Sequence, residues 1–181
     1  VKEAGKKPNA DIMIPLVSEV KELNLVRSWI EEEIASVEDG LRPSIGTMIE
    51  TPRAGITAEE IASAADFFSF GTNDLTQLVF GFSRDDIESR VISKYVNEGI
   101  LSVNPFETLD SQGVGHVIRH AIEKGRKSNP ELEIGVCGEH GGDPESIKFF
   151  FGVGVNYVSC SPFRVPVARL AAAQAVLSSF N

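Results

Sequence analysis

The 181 residues are 42% hydrophobic and 24% charged, enough apolar material for one globular unit with a sizeable core. The formal net charge is −9 and the basic residues are scattered, which argues against a nucleic-acid partner, while the absence of any run of about 18 apolar residues argues against a membrane span. The two cysteines, Cys137 and Cys160, lack C-x-x-C spacing and suggest neither a disulfide framework nor a zinc ribbon, so a reducing compartment such as the cytoplasm is expected.

The chain opens VKEAGKKPNAD, without Met or an apolar leader, and reads as the interior of a longer polypeptide. The first expected strand is Ile12 to Val17. A helix follows from about Glu19 to Val37, with Val20, Leu23, Val26, Ile30, Ile34 and Val37 on one stripe and Ser18 as its N-cap. The second strand is Ile45 to Glu50. Thr57 and Glu60 have the spacing of a capping box for the short helix AEEIASAA. Phe67 to Gly71 forms the third strand. Val114, Val117, Ile118, Ala121 and Ile122 then mark a helix that ends before GRKSNP. Ile134 to Cys137 and Tyr157 to Cys160 are the last two strands. Between them Asp143-Pro144 supplies an N-cap and a first-turn proline for ESIKFF, and the alanine-rich segment Pro166 to Leu177 closes the chain as a helix.

Nearly continuous apolar strands alternating with helices describe a parallel α/β protein, either a barrel or an open doubly wound sheet. Glu50, Thr72-Asn73-Asp74, Cys137 and Ser161 all follow the C-terminal ends of their strands. Barrel sites are assembled there from several strands, so the expected class is α/β of the (β/α)8 TIM-barrel type.

The chemistry concentrates in a few of these positions. Gly71 permits a tight turn, Asn73 offers an amide and Asp74 a carboxylate, with Glu50 as a second carboxylate one strand earlier. Two carboxylates suit Mg²⁺, which prefers oxygen and leaves part of its shell to water and substrate. The competing reading is structural: G-T-N-D is also a strand-to-helix turn in which Asn73 or Asp74 caps the next helix. Cys137, in GVCGEHGGDP, is a candidate proton donor or nucleophile at an open strand end, although a lone cysteine is commonly a small buried hydrophobe. Cys160 is assigned to that structural class. His140 either tunes the thiol, donates to substrate or makes a plain loop hydrogen bond. His116 and His120, four residues apart, read as a solvated helix face because no third ligand lies near.

The segments GTMIETPRA, FFSFGTNDLTQ, GFSRDD, GVCGEHGGDP and YVSCSPFRVPVARLAAAQA together resemble, across nearly the whole chain, the C-terminal PEP/pyruvate-binding barrel of the pyruvate, phosphate dikinases. The resemblance implies interconversion of PEP and pyruvate by phosphoryl transfer through a phosphohistidine on another domain. It implies Mg²⁺ held by Glu50 and Asp74, substrate contacts from Glu50, Gly71, Thr72, Asn73 and Asp74, and Cys137 as the acid that protonates the enolate. It further implies partner domains for the phosphohistidine and the nucleotide, a homodimer through this region, and a plastid location if the source is a plant. Five strands are visible where eight close a barrel, so residues 1–181 are expected to form one partial domain, inactive alone, with exposed edges at its first and last strands. Arg53, Arg84 and Arg164 lie near the motifs and are assigned to ion pairs or surface. The alternatives are a fragment of PEP synthase or of the PEP-protein phosphotransferase, or a non-catalytic dimerisation module.

Overall fold

The computed structural model describes residues 9–37 and 42–179. Five strands, β1 (Asp11–Ile14), β2 (Ser44–Ile49), β3 (Phe67–Gly71), β4 (Glu133–Cys137) and β5 (Tyr157–Val158), form one parallel sheet in the order β1-β2-β3-β4-β5. The helices are α1 (Val20–Ser36), α2 (Pro52–Ile56), α3 (Ala58–Ala62), α4 (Thr72–Phe80), α5 (Arg84–Ile87), α6 (Ser93–Asn97), α7 (Val114–Ser128), α8 (Pro144–Gly152) and α9 (Val165–Ser178), with a π turn at Glu88–Ile92 joining α5 to α6. None of the described helices is long and apolar enough to cross a membrane.

The strand order never reverses, so the sheet has no switch-point crevice of the doubly wound kind. Parallel crossovers are right-handed, and a run of them in one direction lays the helices on one face. The core has that asymmetry. Ile14, Ile49, Phe68, Phe70, Ile134 and Val136 alternate onto the covered face and pack with Leu23 of α1, Ile61 of α3, Ile118 of α7 and Phe150 of α8. On the opposite face the ring of Phe67 lies over Gly46 and that of Tyr157 over Gly135, and Met13 and Tyr157 remain about two-fifths exposed, at 42% and 41%. Among the described residues β1 and β5 each pair with a single strand, which leaves an edge on either side. A second, smaller cluster of Ile147, Ala168 and Ala171 seats α9 on α8, with Cys160 packed against it as a structural side chain.

Several expected boundaries shift for identifiable reasons. β1 stops at Ile14 rather than Val17, because Pro15 has no N–H to donate and Leu16 turns to φ 53°. β5 is reduced to two residues, shorter than the expected Tyr157 to Cys160. The N-cap of α1 is Glu19, not Ser18, and the Glu22 carboxylate accepts from the backbone N–H groups of both. Thr57 makes no capping bond. Its hydroxyl donates to the Arg53 carbonyl at 3.0 Å, because the chain is already helical over α2, where Thr51 accepts from the Ala54 N–H at 3.1 Å. Asp143 caps α8 as expected, accepting from the Ser146 N–H, with Pro144 in the first turn.

Phe68 is fully buried on the covered face, against Leu132 and the backbone of α7 at Gly125. Phe68→Ala is expected to lower the unfolding free energy by about 3–5 kcal/mol in urea titration. A loss of less than about 1 kcal/mol would mean that this face is not the principal core.

Candidate active site

The site begins with strand register. Ile49 pairs with Phe70 and Gly71 with Cys137, so Glu50, Gly71 and Cys137 stand in one row at the C-terminal rim. A β-carbon on Gly71 would lie 2.2 Å from Glu50 Oε2 and 2.8 Å from Glu50 Cβ, so only glycine leaves this seat open. The Glu50 side chain fills it. Glu50 is 3% exposed, and its Oε1 accepts the Leu16 N–H at 2.8 Å. Leu16 holds that N–H in place from a left-handed conformation, which costs a non-glycine residue about 1–2 kcal/mol.

β3 passes into α4 without a side-chain cap, since Gly71 is the N-cap and neither Asn73 nor Asp74 bonds a free N–H of the helix start. Asp74 falls in the first turn, where the helix dipole favours a carboxylate. It lies against Glu50. Burial raises the Glu50 pKa first, the Leu16 N–H opposes that, and the neighbouring Asp74 carboxyl raises it further. Gln77, one turn on, donates from Nε2 to Asp74 Oδ1 at 3.2 Å and accepts the Arg84 N–H on Oε1 at 2.9 Å. Among the described residues no cation pairs with either carboxylate: Arg53 bonds Glu19 and the Ser18 carbonyl, and Arg84 bonds Glu88 and lies over the Phe106 ring.

Cys137 is half-buried, and Ser69 lies two residues before Gly71 on the same face. Burial pushes the Cys137 pKa up, the Ser69 hydroxyl opposes this, and the charges of Glu50 and Asp74 push it up again. The sulfur therefore stands within the field of both carboxylates and stays a thiol at neutral pH. A group so held gives a proton more readily than it attacks as thiolate.

Thr72 is fully buried at the start of α4, with its Oγ1 3.1 Å from the Cys137 carbonyl oxygen and 2.8 Å from His140 Nδ1. His140 is also fully buried, and its Nε2 lies 2.8 Å from the Pro105 carbonyl. With both ring nitrogens taken, His140 is a loop-bonded histidine rather than a donor to substrate. Asn73 Oδ1 accepts weakly from the Glu139 N–H at 3.4 Å. Gly138, at φ 113°, allows the close approach, since a β-carbon there would be 2.7 Å from Thr72 Oγ1.

The other sequence candidates fall elsewhere. His116 is exposed and His120 half-exposed on α7, Arg164 packs along Gly142, and Ser161 opens the exposed turn Pro162–Arg164. Sequence reasoning assigned no role to Ser69, Gln77 or the Leu16 N–H. The first two had a signal, because Ser69 is two residues from Gly71 on a strand and Gln77 three from Asp74 on a helix. Leu16 had none, since its bond spans 34 positions of sequence.

Residues 1–177 match the family model described as "PEP-utilising enzyme, PEP-binding domain". This chain belongs to that family. It is 52% identical over 179 residues to pyruvate, phosphate dikinase 2 of Oryza sativa subsp. japonica, covering 97% of this chain and 20% of that protein. It is 52% identical over 181 residues to the pyruvate, phosphate dikinase of Clostridium symbiosum, covering 98% of this chain and 21% of that one. The resemblance read from the motifs is thereby borne out. The chain spans about a fifth of the length of these relatives. A citrate lyase from Burkholderia xenovorans LB400 shares the fold, with a TM-score of 0.64 and 14% identity over 93% of this chain and 50% of that one.

A carboxyl whose pKa is raised by folding stabilises the fold below its ordinary value, near 4.3, and loses that contribution as pH rises through the raised one. Glu50→Gln keeps an acceptor for Leu16 and removes the charge. In magnesium-free buffer at pH 7.5 it is expected to resist urea better than the parent, the advantage fading as the pH falls toward 4.3. A variant less stable at pH 7.5 would show that Glu50 is not electrostatically strained.

Proposed function

We propose that this chain is the PEP/pyruvate-binding part of a pyruvate, phosphate dikinase. The observation that carries the proposal is the abutting pair Glu50 and Asp74 with the protonated Cys137 thiol in its field, in a chain of the PEP-binding family. The dikinase is favoured over PEP synthase because the relatives named above are dikinases.

The donor set fits Mg²⁺. Two carboxylates without a cationic partner are the usual protein share of such a site, and among the described residues no group of three or more His, Cys, Asp or Glu side chains forms a fuller cage. Glu50 and Asp74 would hold the ion, whose charge would stabilise enolate and carboxylate oxygens of the ligand. Asn73 and the first turn of α4 face the same mouth and would contact the substrate carboxylate, with Gly71 and Thr72 shaping the floor. When the phosphoryl group leaves PEP for a histidine on another domain, which becomes the phosphohistidine, an enolate remains. The Cys137 thiol would give its proton to the methylene carbon of that enolate and form the methyl group of pyruvate. In reverse the thiolate would take a methyl proton back.

A single direction of strand order, helices on one face only and two unpaired edges support a larger, closed (β/α)8 barrel of which these are about the last five strands. The phosphohistidine and nucleotide domains would lie elsewhere in the polypeptide, and the exposed Leu170 and Leu177 of α9 support self-association. A reducing compartment fits the free cysteines, with the plastid an option because some plant relatives are described as chloroplastic.

Oxalate, a mimic of the enolate, separates binding from chemistry in the intact enzyme. Asp74→Ala is expected to abolish Mg²⁺-dependent oxalate binding in calorimetry. Cys137→Ala should keep that binding yet lose proton exchange at the pyruvate methyl by about 100-fold or more. Unchanged oxalate affinity in the Asp74 variant, or undiminished exchange in the Cys137 variant, would remove the respective assignment.

A further inference from the structure

His140 is buried, titratable and without a part in the chemistry above, yet its ring touches the hydroxyl that touches Cys137. The Pro105 carbonyl can only accept, so the His140 Nε2 at 2.8 Å from it carries hydrogen. Burial favours the neutral ring. The Pro105 carbonyl, then Asp143 and Glu139, favour the charged ring less strongly, and Arg84 disfavours it. A neutral ring protonated at Nε2 presents a lone pair at Nδ1, and the neighbour placed to satisfy it is Thr72 Oγ1 at 2.8 Å.

Thr72 has one hydroxyl proton and two acceptors within reach, His140 Nδ1 and the Cys137 carbonyl oxygen at 3.1 Å. The imidazole nitrogen is nearer and more basic, so it takes the proton, and the Cys137 carbonyl is left without that bond. Protonation of His140 reverses the arrangement. Nδ1–H then donates to Thr72 Oγ1, and the hydroxyl turns onto the Cys137 carbonyl. That carbonyl belongs to the peptide between Cys137 and Gly138, whose φ of 113° makes it a natural pivot.

We propose that His140 is a positioning residue for Cys137: with its Nε2–H fixed on the Pro105 carbonyl, its Nδ1 draws the Thr72 hydroxyl proton away, so that the hydroxyl does not pull the Cys137–Gly138 peptide out of the orientation that aims the thiol at the enolate. The inference rests on the proposed role of Cys137.

Two substitutions divide the ring. His140→Asn places an acceptor oxygen where Nδ1 stood and gives up the Pro105 bond, whereas His140→Gln extends an amide toward Pro105 and leaves no acceptor at the Nδ1 position. In the intact enzyme, H140N is expected to exchange pyruvate methyl protons within about threefold of the parent. H140Q should be slower by about tenfold, with the KM for PEP unchanged. The fall in the parent's exchange rate as His140 protonates, below the ordinary histidine value, should be absent from H140N. If the parent exchanges and both variants are equally impaired, this inference alone is overturned. If the parent itself does not exchange, the Cys137 role falls and this inference with it. Should H140Q not fold, imidazole ¹⁵N shifts of the parent decide without substrate: the Nε2–H tautomer at pH 7 supports the proposal, and an Nδ1–H or charged ring overturns it.

Discussion

A buried carboxylate at the end of a strand needs both room and a donor, and the seat of Glu50 supplies each from a different segment: the room from the end of β3, the donor from the turn after β1. Gly71 provides the room by having no β-carbon, and Leu16 provides the donor by adopting a conformation that leucine avoids. Neither accommodation helps the fold for its own sake. A leucine at φ 53° and a charge pressed against another charge are both unfavourable, and the one-sided core carries them. Such local conflict is the mark of a site selected for chemistry rather than stability.

The start of α4 is then fixed from two sides by the same surface segment. On one side Thr72 bonds His140, which bonds the Pro105 carbonyl. On the other, Asp74 accepts from Gln77, which accepts from the Arg84 backbone, and the Arg84 guanidinium lies 5.5 Å from the centroid of the Phe106 ring. Pro105 and Phe106 are neighbours, so the two chains of contacts close into a ring around the helix start. The segment between α4 and α7, which looks like an irregular excursion with its π turn, thus serves as the outer wall of the site.

Much of this was legible in the sequence, and the reason is periodicity. All five strands announce themselves because a parallel strand covered by helices is apolar nearly throughout, and Gly71 and Gly138 mark the turns that bring polar residues to the rim. The caps were less legible, because Thr57 and Ser18 have the right chemistry at positions where the chain is already helical or not yet so. Least legible was the His140 to Pro105 contact, since a bond between a side chain and a distant carbonyl leaves no spacing to detect.

The two carboxylates of the site are chemically alike and physically opposite. Glu50 is sealed at the floor, and its raised pKa records burial first and then the neighbouring charge of Asp74, whereas Asp74 is exposed at the mouth, with one oxygen already bonded by Gln77. Any cation that neutralised both would have to approach from the Asp74 side, because β2 and β3 close the other. The same approach brings a ligand over the row in which Gly71 is flanked by Cys137. Floor, mouth and thiol are therefore ordered along one direction, and that order follows from a register in which Gly71 is the one position without a side chain between an acid and a thiol.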